Sequence, residues 1–307
     1  MRFGIPRRAV VVAIVMTAAL GLAACGSSKS SSTSSTASTS TGVAASGGTD
    51  AKIAAEVPKA IRSKGALTVA ADATYPPNEF IAPDGHTVVG MDADLAKALS
   101  AKMGLEAKVV NATFDGIIPG LAARKYDLGM SSFTDTKERQ KTVDFVTYFS
   151  AGTSFYVKAH GGPTIASLAD LCGHKVAVEK GTTQAADATA QGKKCKAAGK
   201  ASVDVLVFPD QNGANLALSS GRAEVGMADS PVAAYQVKKT NGQFKLTGQP
   251  YGTAPYGIAI PKGDGLAKPT LDALKALMSG GSYRAILQRW GIAKGAIANP
   301  VINGAIG

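Results

Sequence analysis

The sequence predicts an α/β protein of two lobes, each a mixed sheet flanked by helices. Three observations lead there. The chain has 307 residues, enough for two domains of ordinary size. Short apolar runs bounded by polar turns alternate with helix-period segments, and 35 glycines supply the tight turns between them. One unit also recurs. LAARKYDLGMSS at 121–132 and LALSSGRAEVGMADS at 216–230 both read as helix, polar turn, acidic residue, apolar pair, Gly-Met and polar strand end. Such a repeat is expected to turn both polar tips toward one cleft.

The N-terminus carries Arg2, Arg7 and Arg8, then a 14-residue apolar stretch from Ala9 to Leu22. That is the length of a signal-peptide core and short for a membrane span. It ends in Leu22-Ala23-Ala24-Cys25-Gly26, which resembles a lipobox. Residues 1–24 are therefore expected to be a lipoprotein signal peptide, with Cys25 as the lipid attachment site. Residues 25–50 are dominated by Ser, Thr, Gly and Ala and bury too little apolar surface to order themselves, so a disordered tether is expected. The head would then stand on the extracytoplasmic face of the membrane, lipid-anchored. Net charge is +11, or +8 without the leader. Export and the lack of a basic cluster interleaved with aromatics argue against nucleic acid, and anionic envelope polymers account for a basic surface. Cys172 and Cys195 are the other cysteines. In an exported chain an even pair favours a disulfide over two buried thiols.

Ala66–Ala71 reads as a strand, stopped by Tyr75-Pro76-Pro77. Tyr75 either faces a ligand or simply covers the prolines. Pro83 to His86 reads as a hairpin tip. Asp92 is expected to cap a helix running to Met103, with Leu95, Ala98 and Leu99 on its apolar face. Lys108–Val110 reads as a strand, and Phe114 begins a helix as either core or site wall. Tyr126–Met130 reads as a buried strand ending in Ser131 and Ser132. Thr134 follows, and Thr136 is expected to cap a helix with Glu138 and Arg139 in its first turn. Arg139 is placed to grip a carboxylate with its two-pronged fork, or to pair with Glu138 or Asp135. Tyr148–Ser154 reads as a crossover. Lys175–Glu179 is a strand, and Gly181-Thr182-Thr183-Gln184 opens a helix whose free N–H groups suit an anion. Val203–Phe208 and Ala223–Met227 are strands, the latter ending at Asp229, and Asn215–Ser220 is helical. Tyr251–Ile260 reads as the return crossover and a strand of the first lobe, Leu271–Met278 and Tyr283–Trp290 as closing helices, and Trp290 as a core or lobe-surface anchor.

Five segments in this order, GMDADLAKALSAKMG (90–104), FDGIIPGLAARKYDLGMSSFTDTKER (114–139), VDF (143–145), VAVEKGTTQ (176–184) and AEVGMADSPVAAY (223–235), resemble family 3 solute-binding proteins, the amino-acid receptors of bacterial ABC importers. The resemblance covers about residues 60–295. It implies a type II periplasmic-binding-protein-like fold with two hinge crossovers. Residues 51–152 and 254–307 are then expected to form lobe 1, and 153–253 lobe 2. Carried over position by position, it implies a ligand site of Asp72, Tyr75, Phe114, Ser131, Ser132, Thr134, Arg139, Thr182, Thr183, Gln184 and Asp229. Arg139 would hold the carboxylate of a free amino acid and Asp229 its ammonium, while Tyr75 and Phe114 would sandwich its apolar part. Glu179 departs from the apolar residue expected there and, with Asp72, points to a polar or basic side chain. The partners implied are the amino acid, a membrane permease and the membrane through the lipid anchor. The protein is expected to act as a monomer, without cofactor or metal and without enzymatic activity.

Rival classes are weaker. A cyclohexadienyl dehydratase-like lyase on the same fold needs a general acid in the cleft, and Glu179 is the one candidate. A sensor module needs a transmembrane segment and a signalling domain after the head, and neither is expected before Gly307. Neither G-x-G-x-x-G nor GxxxxGK[ST] occurs, there is no nucleophile elbow, and His86, His160 and His174 lie in Gly-rich or turn contexts.

Overall fold

The computed structural model describes residues 48–306. The leader expected at 1–24, Cys25 and all but residues 48–50 of the expected tether lie outside them. Helices α1 (Ala51–Glu56) and α2 (Lys59–Lys64) lead into β1 (Ala66–Ala71). A three-stranded hairpin sheet follows, β2 (Thr74–Tyr75), β3 (Glu79–Ile81) and β4 (Val88–Val89). Next come α3 (Met91–Lys102), β5 (Glu106–Asn111), α4 (Phe114–Ala122), β6 (Leu128–Gly129) and the long β7 (Val143–Lys158). The second half holds β8 (Lys175–Glu179), α5 (Thr183–Ala197), β9 (Asp204–Phe208), α6 (Gln211–Ser220), β10 (Val225–Asp229) and α7 (Ser230–Lys239). The long β11 (Phe244–Pro261) returns to the first half, where α8 (Ala267–Ser279) and α9 (Ser282–Arg289) pack.

The large sheet has the order β5-β1-β6-β11-β7-β10-β8-β9, and the repeat seen in the sequence is visible in it. β6 lies between parallel β1 and antiparallel β11, just as β10 lies between parallel β8 and antiparallel β7. Each is fed by the helix before it, α4 or α6, so Ser131–Ser132 and Asp229 are equivalent strand ends. The strands β7 and β11 run through both halves as an antiparallel pair, with register shifts at Thr247/Tyr251 and Tyr251/Ala254. At this waist Gly152 is required, because a Cβ there would lie 2.7 Å from the Tyr251 carbonyl oxygen. One core, with Leu67, Val69, Leu95, Leu99, Ile258 and Leu274, fills the first half; another, with Phe155, Val176, Val178, Val225 and Met227, fills the second.

The two expected crossovers, Tyr148–Ser154 and Tyr251–Ile260, are carried by the long strands β7 and β11. Other expectations change. The helix expected after Thr136 is a single 3-10 turn, Arg139–Lys141, because β7 begins at Val143; the Thr136 hydroxyl still accepts the Arg139 N–H at 3.2 Å. Asp92 is not a cap. Gly90 takes the N-cap position of α3 at φ 127°, where a Cβ would sit 2.2 Å from the Asn78 carbonyl oxygen. Asp92 points inward and accepts the Ser132 N–H at 2.9 Å and the Tyr148 hydroxyl at 2.7 Å. Trp290 is a half-buried anchor packed against the first core: its ring meets Phe80 edge-on at 5.6 Å and its Nε1 donates to Asp94 at 2.9 Å.

Cys172 and Cys195 are bonded, with Cα atoms 5.6 Å apart and a sequence separation of 23. The bond ties the turn Leu168–Leu171 to α5, a helix rich in Lys, Gly and Ala with little apolar surface of its own. Closing a loop of that length removes unfolded-state freedom worth ~3 kcal/mol. Replacing both cysteines by alanine is therefore expected to lower unfolding free energy by about that amount in denaturant titration. A loss well under ~1 kcal/mol would mean that packing alone holds the segment.

Candidate functional site

The eleven residues of the expected ligand set line one cavity, together with Glu79 and Glu179. The cavity is narrow and partly open to solvent. Its positive pole is Arg139. The short turn that begins at Arg139 aims the guanidinium back along the strand end, where Nη1 donates to the Thr134 carbonyl at 2.8 Å. Nη2 reaches across the cleft to the Gly181 carbonyl at 3.0 Å. The guanidinium lies 5.3 Å from the Phe114 ring and 5.4 Å from the Phe133 ring, which are themselves stacked at 4.5 Å. Neither suggested ion-pair partner takes it: Glu138 pairs with Lys141, and Asp135 accepts from Gln140 at 2.7 Å. Burial draws its pKa down to about 10, which leaves it charged at neutral pH.

Asp229 forms the negative pole at the end of β10. Its carboxylate accepts the Gln184 side-chain amide at 2.7 Å and the Tyr256 hydroxyl at 2.6 Å. Its backbone N–H donates to the Tyr75 hydroxyl oxygen at 2.8 Å, so Tyr75 crosses the cleft. Burial pushes the Asp229 pKa up to about 6, against the opposing pull of Tyr256, Gln184, Tyr75 and Arg139. Gln184 sits in the first turn of α5, which Thr182 caps by accepting the Ala185 N–H at 3.2 Å. Thr183 and Gln184, whose first-turn N–H groups have no partner within the helix, line the cavity. Further cross-cleft bonds join Lys180 to Asp115 at 2.7 Å and the Gln211 N–H to Thr74 Oγ1 at 3.2 Å.

Between the poles the walls are acidic. Asp72 accepts the Thr74 hydroxyl at 2.6 Å and the Phe114 N–H at 2.9 Å, and burial raises its pKa. The Ser131 hydroxyl accepts the Asp72 N–H at 2.8 Å and donates to Glu79 at 3.2 Å. Ser132, at φ 52°, accepts from Asn78 at 2.8 Å and donates to the other Glu79 oxygen at 3.2 Å. Glu79 is fully buried beside Asp92; burial and then the Asp92 charge hold its pKa well above the usual carboxylate range. Glu179 is 3% exposed and its Oε1 has no hydrogen-bond partner. Burial, then the Asp72 charge, raise its pKa strongly. Four carboxylates thus face one guanidinium.

Glu79 and Tyr256 are the site residues that the sequence reading missed. Glu79 had a usable signal, since it pairs with Tyr75 across the β2–β3 hairpin and directly opposed residues share a face. Tyr256 had none, being one apolar position among many on a returning strand.

The described family "Bacterial extracellular solute-binding proteins, family 3" matches residues 67–293. The arginine-binding protein ArgT of Corynebacterium glutamicum is 34% identical over 253 residues, covering 82% of this chain and 83% of the relative. An ancestral arginine-binding protein solved with arginine bound is 38% identical with a TM-score of 0.68, covering 74% of this chain and 98% of that one. AncCDT-1, an ancestral amino-acid-binding protein and precursor of cyclohexadienyl dehydratase, is 36% identical with a TM-score of 0.66, covering 75% and 97%. With two opposed poles in a cleft between the halves of a repeated α/β unit, and with that match, the chain belongs to the family 3 bacterial extracellular solute-binding proteins.

Proposed function

We propose that this protein captures a free amino acid with a polar or basic side chain outside the cytoplasm and delivers it to the permease of an ABC importer. The observation that carries this is the placement of Arg139 and Asp229 on opposite sides of one small cavity. A zwitterionic α-amino acid holds its carboxylate and ammonium one carbon apart, so it needs both poles within a few ångströms. Arg139, with the N–H groups at the start of α5, takes the carboxylate; Asp229 takes the ammonium. Phe114 and Tyr75 cover the carbon skeleton and exclude water, which strengthens both charged contacts. The acidic excess favours a basic side chain, in keeping with the arginine that the similar ancestral protein binds.

Lobe 1 is taken as 51–152 with 254–307 and lobe 2 as 153–253, the division falling where β7 and β11 change register. Hinging there opens the cleft, and a ligand that bridges the lobes shifts the population toward closure. The closed head is the form that docks on the permease. Anchoring through Cys25 and a tether over 25–50 keeps a monomeric head within reach of it. A lyase reading would use Glu179 as a general acid. It predicts consumption of prephenate or arogenate, and no turnover of either is expected.

Isothermal titration against the twenty amino acids is expected to give tight binding to basic ones. Arg139→Ala and Asp229→Asn should each weaken binding by ~100-fold, the scale of one or two charge-assisted hydrogen bonds in a closed site. Unaltered affinity in both variants would sink the assignment of the poles. The pH dependence has a definite sign. With its folded pKa raised to about 6, Asp229 binds more protons folded than unfolded between the unfolded carboxylate range and that value. Its contribution to ligand-free stability is thus present at low pH and lost as pH rises through about 6. An ammonium bound to Asp229 favours the deprotonated form. The rise in melting temperature caused by ligand should therefore be larger at pH ~7.5 than at pH ~5. A ligand effect constant over that range would count against Asp229 as the ammonium's partner.

A further inference from the structure

Glu179 ends β8 on the second half of the sheet, just ahead of the turn that starts α5. It is 3% exposed, faces the cavity, and its Oε1 has no partner. The neighbouring cations are committed elsewhere: Lys180 pairs with Asp115 at 2.7 Å, and Arg139 donates to the carbonyls of Thr134 and Gly181. Among the described residues no ion pair reaches Glu179. The strongest charges felt there are carboxylates on four separate elements, Asp72 after β1, Asp210 before α6, Asp229 on β10 and Asp115 on α4. A buried, unpartnered carboxyl in an acidic field is costly unless a cation arrives to meet it.

Three other features of the site cannot serve as well. Asp229 already has Tyr256 and Gln184, and is the partner of the ammonium. Both Glu79 oxygens are held by serine hydroxyls. Both Asp72 oxygens are held by Thr74 and Phe114. Glu179 is the carboxyl with an acceptor still to fill, and it lies on the opposite half of the cleft from Asp72.

We infer that Glu179 is the specificity-determining residue for the ligand's side chain: it accepts a guanidinium or ammonium there and so selects basic amino acids over uncharged ones of the same shape. This rests on the reading that the cavity holds a free amino acid. Arg139 and Asp229 fix the backbone of any amino acid, whereas Glu179 distinguishes between them. A cation arriving beside Glu179 favours its ionised form, so binding of a basic ligand releases a proton from this carboxyl when it starts protonated.

The test is titration of the full protein and of Glu179→Gln with arginine, lysine and citrulline, the last an uncharged isostere of arginine. Wild type is expected to prefer arginine to citrulline by ~10- to 100-fold, the scale of a charged hydrogen bond in a closed site. Glu179→Gln should lose most of that ratio, with arginine weakened and citrulline nearly unchanged. Titration in buffers of different ionisation enthalpy should show fewer protons released by arginine in the variant. Melting of the ligand-free variant should occur at or above the wild-type temperature, since a buried acid has been removed. An arginine-to-citrulline ratio that survives Glu179→Gln in a folded variant would overturn the inference and leave the amino-acid reading intact. So would a wild-type preference for uncharged ligands. Binding of no amino acid at all by wild type would instead overturn the underlying reading.

Discussion

The carboxylate of Asp229 is the point on which the closed arrangement turns. It is buried at a strand end, and its bonds come from both sides of the cleft: Gln184 from the second half, Tyr256 from the returning strand β11. Tyr75, carried by the hairpin of the first half, takes the N–H of the same residue. A charge in such a place is tolerated only when its lone pairs are filled. One of the two donors that fill them, Tyr256, comes from the other half, so the satisfaction of this carboxylate is linked to the closed arrangement.

The topology explains why the poles face each other. In an α/β sheet of this kind the strand ends that follow helix-fed parallel strands collect at a switch in strand order, where ligands bind. Here the two half-sheets meet back to back through β11 and β7. Their equivalent strands β6 and β10 end in Ser131–Ser132 and in Asp229. A duplicated scaffold thus delivers two strand tips to one gap, and their chemistry has diverged. One tip offers hydroxyls and, through the adjoining turn, Arg139; the other offers a carboxylate.

Much of this was legible in sequence because the decisive residues stand at local boundaries. Ser131, Ser132, Thr182, Thr183 and Asp229 all occupy strand ends or helix starts, which turn chemistry and hydrophobic periodicity mark within a few positions. What escaped depends on distant pairing. Glu79 meets Ser131 across 52 positions of chain, and Asp92 turned out to be a buried acceptor for Tyr148 across 56. No local pattern encodes either contact, although the hairpin that pairs Glu79 with Tyr75 places Glu79 on the site's face. That the two crossovers are carried by single long strands, β7 and β11, escaped for a different reason. Gly152, Pro250, Gly252 and Pro255 look like turn punctuation, but in the paired ribbon they fall at or next to the register shifts that bend it. Proline and glycine mark an irregularity; whether it is a turn or a bulge depends on the partner strand.

The direct bonds across the cleft are too few and too weak to settle the lobes' position by themselves. The Lys180–Asp115 pair has a lysine side chain 63% exposed, and exposed pairs contribute ~0–1 kcal/mol. The Arg139–Gly181, Tyr75–Asp229 and Gln211–Thr74 hydrogen bonds add ~1 kcal/mol each in net terms. Against them stands the mutual repulsion of carboxyls brought from both halves, Asp72 and Glu79 from one, Glu179 and Asp229 from the other. A proton can relieve that repulsion, and so can a cation. On the reading proposed above, closure is coupled to positive charge: a basic ligand would remove the repulsion and add its own bridging bonds, whereas a neutral side chain of the same length would leave the repulsion in place.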